Sequence, residues 1–310
     1  MRHWFTYAVA GAGLLALSAC DLLNPVDPVR TPQLRPAAPA PQATSERSAA
    51  LRQYLREVQS IQLSQGLLRQ DGGGPDTPFS ANTLARNFDR IVFFSEYETA
   101  GTAAGVSGKL RRWDIPVRMR VEFGPSVPPS QAQQDRRDVA AYARRLARVT
   151  GHPITTTRVN PNFLVFFVSE DDRAATIDAI ATRLPGVTTT NLSPIRNLSD
   201  DVYCAVAAYA AGPDPSTYTA AIAVIRAENP DLLRLSCIHE ELAQGLGLAN
   251  DSPEARPSIF NDDDEFALLT NHDELLLQML YDDRLRPGQT LAEAQPVSRI
   301  IARELTQGPL

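Results

Sequence analysis

The stretch Cys237-Ile238-His239-Glu240-Glu241-Leu242-Ala243-Gln244-Gly245-Leu246-Gly247-Leu248-Ala249-Asn250-Asp251 carries more chemistry than any other part of the chain. On a helix, Leu235, Ile238, Leu242 and Leu246 fall on one apolar stripe. Cys237, Glu240 and Gln244 fall on the opposite side, with Glu241 at its flank. Gly247 is placed to end the helix in a left-handed turn that brings Asn250 and Asp251 back toward the polar side. Glu240, Gln244, Asn250 and Asp251 are thereby a candidate ligand set for a divalent metal. Oxygen ligands of this kind suit calcium or magnesium better than zinc.

Around this segment the pattern is that of an α/β (α+β) domain with a mixed twisted sheet. Residues 116–124 alternate apolar and charged side chains, as a half-buried strand does, and Gly124 ends the run. Residues 129–149 form an Arg- and Ala-rich helix, 162–168 an apolar, fully buried strand, and 170–184 a helix. A strand over 220–225 then precedes the motif helix, 231–248, and a last helix follows Thr270, where Asp273 completes a capping-box pattern. Upstream, Ser80 caps a helical pattern through Leu84 and Phe88, with a strand expected at 91–94. The globular domain is set at 78–310. An amphipathic helix over 45–70, with Leu51, Tyr54, Leu55, Val58, Ile61, Leu63 and Leu67 at helical spacing, stands before it. The run Asp71-Gly72-Gly73-Gly74-Pro75 separates the two.

The N-terminus opens with Arg2 and His3, continues apolar from Trp4 to Leu17 and ends in Ser18-Ala19, which reads as a secretory signal over 1–19. Its apolar run is shorter than the ~20 residues a membrane-spanning helix needs. Leu17-Ser18-Ala19-Cys20 resembles the lipobox of bacterial lipoproteins. That resemblance implies acylation of Cys20, a lipid anchor in the cell membrane and a periplasm-facing domain. Asp21 resembles an inner-membrane retention signal of enteric bacteria, and the choice between inner and outer membrane stays open. Residues 20–44 carry Pro25, Pro28, Pro32, Pro36, Pro39 and Pro41, the composition of an extended tether. Thirty basic against 36 acidic residues give a net charge of −6, which implies no nucleic-acid partner. With Cys20 consumed by lipid, Cys204 and Cys237 remain as a pair. In an oxidising compartment they are expected to form a disulfide, the alternative being two buried thiols.

The motif segment resembles the zinc helix of metzincin metalloproteases, H-E-x-x-H-x-x-G-x-x-H, with Glu240, Glu241, Gln244, Gly247 and Asn250 on its defined positions. In that family the histidines hold zinc and the glutamate activates a water. Only the glutamate, Glu241, and the glycine, Gly247, are retained here. A register starting at His239-Glu240 instead puts Ala243 at the second histidine position, where it cannot bind metal. Ser258-Ile259-Phe260-Asn261 resembles the family's methionine turn with Phe260 in place of the methionine, and 269–281 resembles its final helix. The resemblance implies a zincin-like arrangement. The chain is also similar, over about residues 80–290, to bacterial lipoproteins known only as a domain of unknown function. Arg86-Asn87-Phe88, Arg112-Trp113, Pro116-Val117-Arg118, Glu240-Glu241, Leu246-Gly247-Leu248, Phe260-Asn261-Asp262 and Leu280-Tyr281-Asp282 carry that similarity.

Three functional classes follow. In the first, the protein is a pseudoprotease whose old cleft binds a peptide or an envelope protein. In the second, it is a hydrolase in which Glu240, Gln244 and Asn250 or Asp251 hold an unusual metal and Glu241 is the general base. In the third, it is a structural envelope lipoprotein with a solvated helix face. His239 is expected to be a satisfied or solvent-facing side chain rather than a ligand. The run Asp262-Asp263-Asp264-Glu265 lacks the ligand spacing and glycine of an EF-hand and reads as a solvated loop.

Overall fold

The computed structural model describes residues 44–94, 108–188, 190 and 192–307. The expected signal, Cys20 and the tether through residue 43 lie outside the described residues. Everything described below belongs to one compact unit, Pro41–Leu310. In chain order its elements are α1 (Glu46–Ser64), α2 (Ala81–Phe93), β1 (Val117–Phe123), α3 (Pro129–Thr150), β2 (Ile154–Thr156), β3 (Phe163–Val168), α4 (Arg173–Ile180), α5 (Ser193–Arg196), β4 (Cys204–Tyr209), β5 (Ala220–Arg226), α6 (Asp231–Gln244), α7 (Asn271–Leu280) and α8 (Leu291–Thr306). No helix among the described residues is long and apolar enough to cross a membrane.

The strands make one five-stranded mixed sheet, ordered β2-β1-β3-β5-β4. All pairings are parallel except that of β4 with β5, so β4 is an antiparallel edge. Central β3 and β5 are buried on both faces, which is why their sequences are apolar without alternation. Phe163, Val165 and Phe167 point into the larger core, which they share with side chains from α2, α3, α6, α7 and α8. Leu164, Phe166 and Val168 enter a smaller core closed by Ile177 of α4 and Ile195 of α5. On β1, Val117 and Met119 join the larger core, and the alternate residues Arg118, Arg120 and Glu122 are only half-buried.

Several boundaries differ from the sequence reading. Residues 91–93 continue α2 instead of forming a strand, because Leu84, Phe88, Ile91 and Val92 complete one helical stripe and are all buried. Helix α1 stops at Ser64, before Gly66 at φ 78°. It packs on the domain with Leu51 and Leu55, while Tyr54, Ile61 and Leu63 of the expected stripe face outward. Its polar contacts reach far along the chain, with the Ser48 hydroxyl on Glu228 and the Gln62 amide on Asp264. The helix expected over 170–184 is α4 followed by a 3-10 turn, Ala181–Arg183. The motif helix ends at Gln244, three residues before Gly247. Nor is the helix after Thr270 the last one, since α8 follows with its own capping box between Thr290 and Glu293. Strands β2 and β4 were not anticipated.

The turn at Phe260 and the start of α7 are one hydrogen-bonded unit built on Asp273, which is fully buried. Its carboxylate accepts from the Ser258 hydroxyl (2.5 Å), the Ile259 N–H (3.1 Å) and the Thr270 N–H (2.9 Å), while the Thr270 hydroxyl accepts from the Asp273 N–H (3.1 Å). The expected capping box is therefore present, and it doubles as the clamp that seats Phe260 in the core. Replacing Asp273 by Ala removes a cap and orphans buried donors, so Asp273→Ala is expected to lower unfolding free energy by roughly 3–4 kcal/mol. Urea denaturation checks this, and a loss below about 1 kcal/mol contradicts it.

Candidate functional site

Helix α6 crosses the larger face of the sheet and is held along its length by side chains from other elements. Near its start the buried Arg234 guanidinium meets Asp135 of α3 at 2.6 Å. In the middle, the Tyr142 hydroxyl donates to the His239 carbonyl (2.8 Å). At its end the carbonyls that no further helical turn can satisfy take aromatic donors. The Trp113 indole N–H reaches Gly245 O (2.8 Å), and the Tyr281 hydroxyl reaches Leu246 O (3.0 Å). Gly247 lies just beyond at φ 127°, where a Cβ would collide with the Arg111 carbonyl, so glycine is required twice over.

This fixed helix aims Glu240 and Glu241 at the edge strand β4. Cys237, one turn earlier on α6, is bonded to Cys204 at the start of β4, so the expected disulfide is present. The Cys204 sulfur and one oxygen each from Glu240 and Glu241 lie within 4.8 Å of one another. Glu241 is 3 % exposed and Glu240 is half-buried. Around the following turn, the Gln244 side-chain amide donates to Asp251 Oδ1 (3.2 Å). The Asn250 amide donates to the Asp251 carbonyl (2.7 Å) and to Arg90 O (3.2 Å). Gln244 and Asp251 are therefore brought together, and Asn250 is tied to the loop backbone and to α2.

These donors fit a zinc ion poorly. Zinc sites draw on thiolate and imidazole, and the clustered sulfur is oxidised into a disulfide. Gln244 and Asn250 use their amide nitrogens as hydrogen-bond donors within the turn and to Arg90 O. What remains clustered is a pair of adjacent carboxylates, hard oxygen donors that can also accept from N–H or cationic groups.

The described histidines are used elsewhere. His152 holds Ile115 O at 2.8 Å, and buried His272 pairs with the Asn87 side chain at 3.0 Å. His239, expected to be satisfied or solvent-facing, is buried and satisfied: its ring stacks on Tyr142 with centroids 4.0 Å apart, and Nδ1 accepts the Leu269 N–H (3.0 Å). Burial, with Arg145 nearby, pushes its pKa down to about 3 from 6.5, so the folded protein holds it neutral. Below pH 6.5 the unfolded chain takes a proton that the folded chain refuses, and stability falls as pH drops toward 3. The variant His239→Phe is expected to be less stable at neutral pH, and its stability should fall less steeply between pH 6 and 4, by up to about 1.4 kcal/mol per pH unit. Denaturation at several pH values reads the slope, and unchanged slopes contradict this assignment.

The sequence reading did not anticipate that Trp113 and Tyr281 converge on the end of α6. Their signal was present in two short stretches, Arg112-Trp113 and Leu280-Tyr281-Asp282, which the fold now joins: Arg112 Nη1 donates to Leu280 O at 2.5 Å and its guanidinium lies over the Tyr281 ring. No curated protein and no solved structure matches the chain. A family model does match, over residues 81–299, from the start of α2 into α8. The chain therefore belongs to the family described as "Protein of unknown function (DUF2927)".

Proposed function

We propose that the protein is a lipid-anchored cell-envelope binding module, a pseudoprotease whose metzincin-like framework presents Glu240, with the buried Glu241 behind it, to a peptide segment of a partner. One observation carries this reading: the group that would be a metal centre consists of two carboxylates and a sulfur already committed to a disulfide. A half-buried carboxylate such as Glu240, beside an edge strand, can accept from N–H and cationic groups. The order of mixed sheet, motif helix, Phe260 turn and following helix agrees with the zincin-like arrangement and supports the framework part of the reading. The lipobox-like run and the proline-rich segment support the anchor.

A photo-crosslinking residue introduced in place of Glu240 in living cells tests the binding role. A discrete adduct with one envelope protein or peptide, suppressed when the wild-type protein is co-expressed in excess, is the expected result. Absence of any adduct, in protein that is folded and exported, contradicts it and leaves a structural envelope role. For the anchor, metabolic labelling with palmitate should mark the wild type, and Cys20→Ala should lose both the label and membrane association. A labelled or membrane-bound Cys20→Ala protein contradicts the anchor.

A further inference from the structure

The edge of the sheet opposite β4 carries a second feature. Val117 N–H donates to Pro153 O (2.9 Å) and Met119 O accepts from Thr157 N–H (2.8 Å), so the odd-numbered residues of β1 turn their main-chain groups toward β2. The β1–β2 register ends at Met119↔Thr156, yet β1 runs on to Phe123. By strand alternation, Val121 and Phe123 present donors and acceptors along an edge that no described strand pairs. A cleft of about 580 Å³ opens there, lined by Arg120, Arg136, Arg158 and Thr157. A neighbouring cleft of about 520 Å³ shares Arg120 and adds Arg118 and Arg183.

Three arginines, Arg120, Arg136 and Arg158, therefore line the cleft at this edge, and Arg118 and Arg183 line its neighbour, in a chain whose net charge is −6. Among the described residues the only acidic group lining either cleft is Glu122, which is paired with Arg120. Arg118, Arg136, Arg158 and Arg183 form no ion pair with a described carboxylate. Arg118 is steadied by Asn160 O (2.6 Å), and Arg136 lies over the Phe123 ring at 4.6 Å. Two of the cationic forks are thus held in place and left available.

We propose that this edge is a second binding site, which takes an extended acidic peptide as an added strand on β1. Main-chain hydrogen bonds to Val121 and Phe123 supply the strand pairing, and acidic side chains at alternate positions of the peptide meet the arginines. The same charges oppose pairing with a second copy, because two such edges would bring arginine against arginine. An anionic lipid headgroup would use the arginines and leave the main-chain edge unused.

Fluorescence anisotropy with the full chain in neutral detergent tests the site, using a labelled octapeptide of alternating Thr and Glu. Saturable binding is expected, with no binding of the Thr-Lys counterpart. Affinity should fall at least about tenfold for Arg136→Glu/Arg158→Glu, whose side chains are exposed, so the fold is spared. It should fall about as far when alternate backbone nitrogens of the peptide are methylated, a change that leaves the protein untouched. The proposal is overturned if the Thr-Glu peptide does not bind, or if the methylated peptide binds equally well. It is likewise overturned if only phosphatidylglycerol vesicles bind through these arginines, or if the edge proves to pair with a second copy in sedimentation.

Discussion

The carbonyl groups left over at the end of α6 are buried, and the chain must satisfy them without water. Trp113 and Tyr281 do so, and Gly247 lets the chain turn under the Arg111 carbonyl immediately afterwards. Buried carbonyls without partners cost on the order of 1–3 kcal/mol each, so these contacts decide where the helix stops. Everything chemical in the domain inherits that choice. With the Arg234–Asp135 pair near one end and the aromatic donors at the other, α6 has little freedom to slide or rotate, and the direction of Glu240 and Glu241 is set.

The disulfide then joins this helix to the edge of the sheet. A bond between Cys204 and Cys237, 33 residues apart, restricts the unfolded chain and is worth roughly 3–4 kcal/mol by loop-closure arguments. It also changes the chemistry beside it. A thiolate next to two carboxylates would be a plausible metal ligand, whereas a disulfide sulfur is not. The same linkage that stabilises the edge of the sheet thus removes this sulfur as a thiolate ligand. His239, the one histidine within the motif segment, is withdrawn into the core by Tyr142 and Leu269.

Much of the fold could be read from residues whose neighbours agree with their local pattern. The alternation over Val117–Phe123, the unbroken apolar run of β3 and the Thr270/Asp273 capping box all describe local physics, and each became the element it resembled. Failures came where tertiary contacts decide. The β-branched and aromatic run at 91–93 has strand character, but the stripe it completes with Leu84 and Phe88 makes it helix. Strand β4 is rich in alanine and half-buried throughout, so no alternation marks it, and β2 is too short for periodicity to detect. Helix α8 carries Pro296 in its interior, which obscured it although Thr290 and Glu293 announced its start. At the site, pairing of Cys204 with Cys237 was legible by counting cysteines, and the convergence of Trp113 and Tyr281 was not, because 168 residues separate them and no local signal links the two.

As proposed above, Glu240 and Glu241 accept hydrogen bonds rather than hold a metal ion. Metal analysis of the purified chain, after dialysis against micromolar zinc, calcium and magnesium, tests this most directly. Less than about a tenth of an equivalent is expected to bind, with an unchanged melting temperature on adding a chelator. One equivalent of any of these metals, lost in both Glu240→Ala and Glu241→Gln, would contradict it.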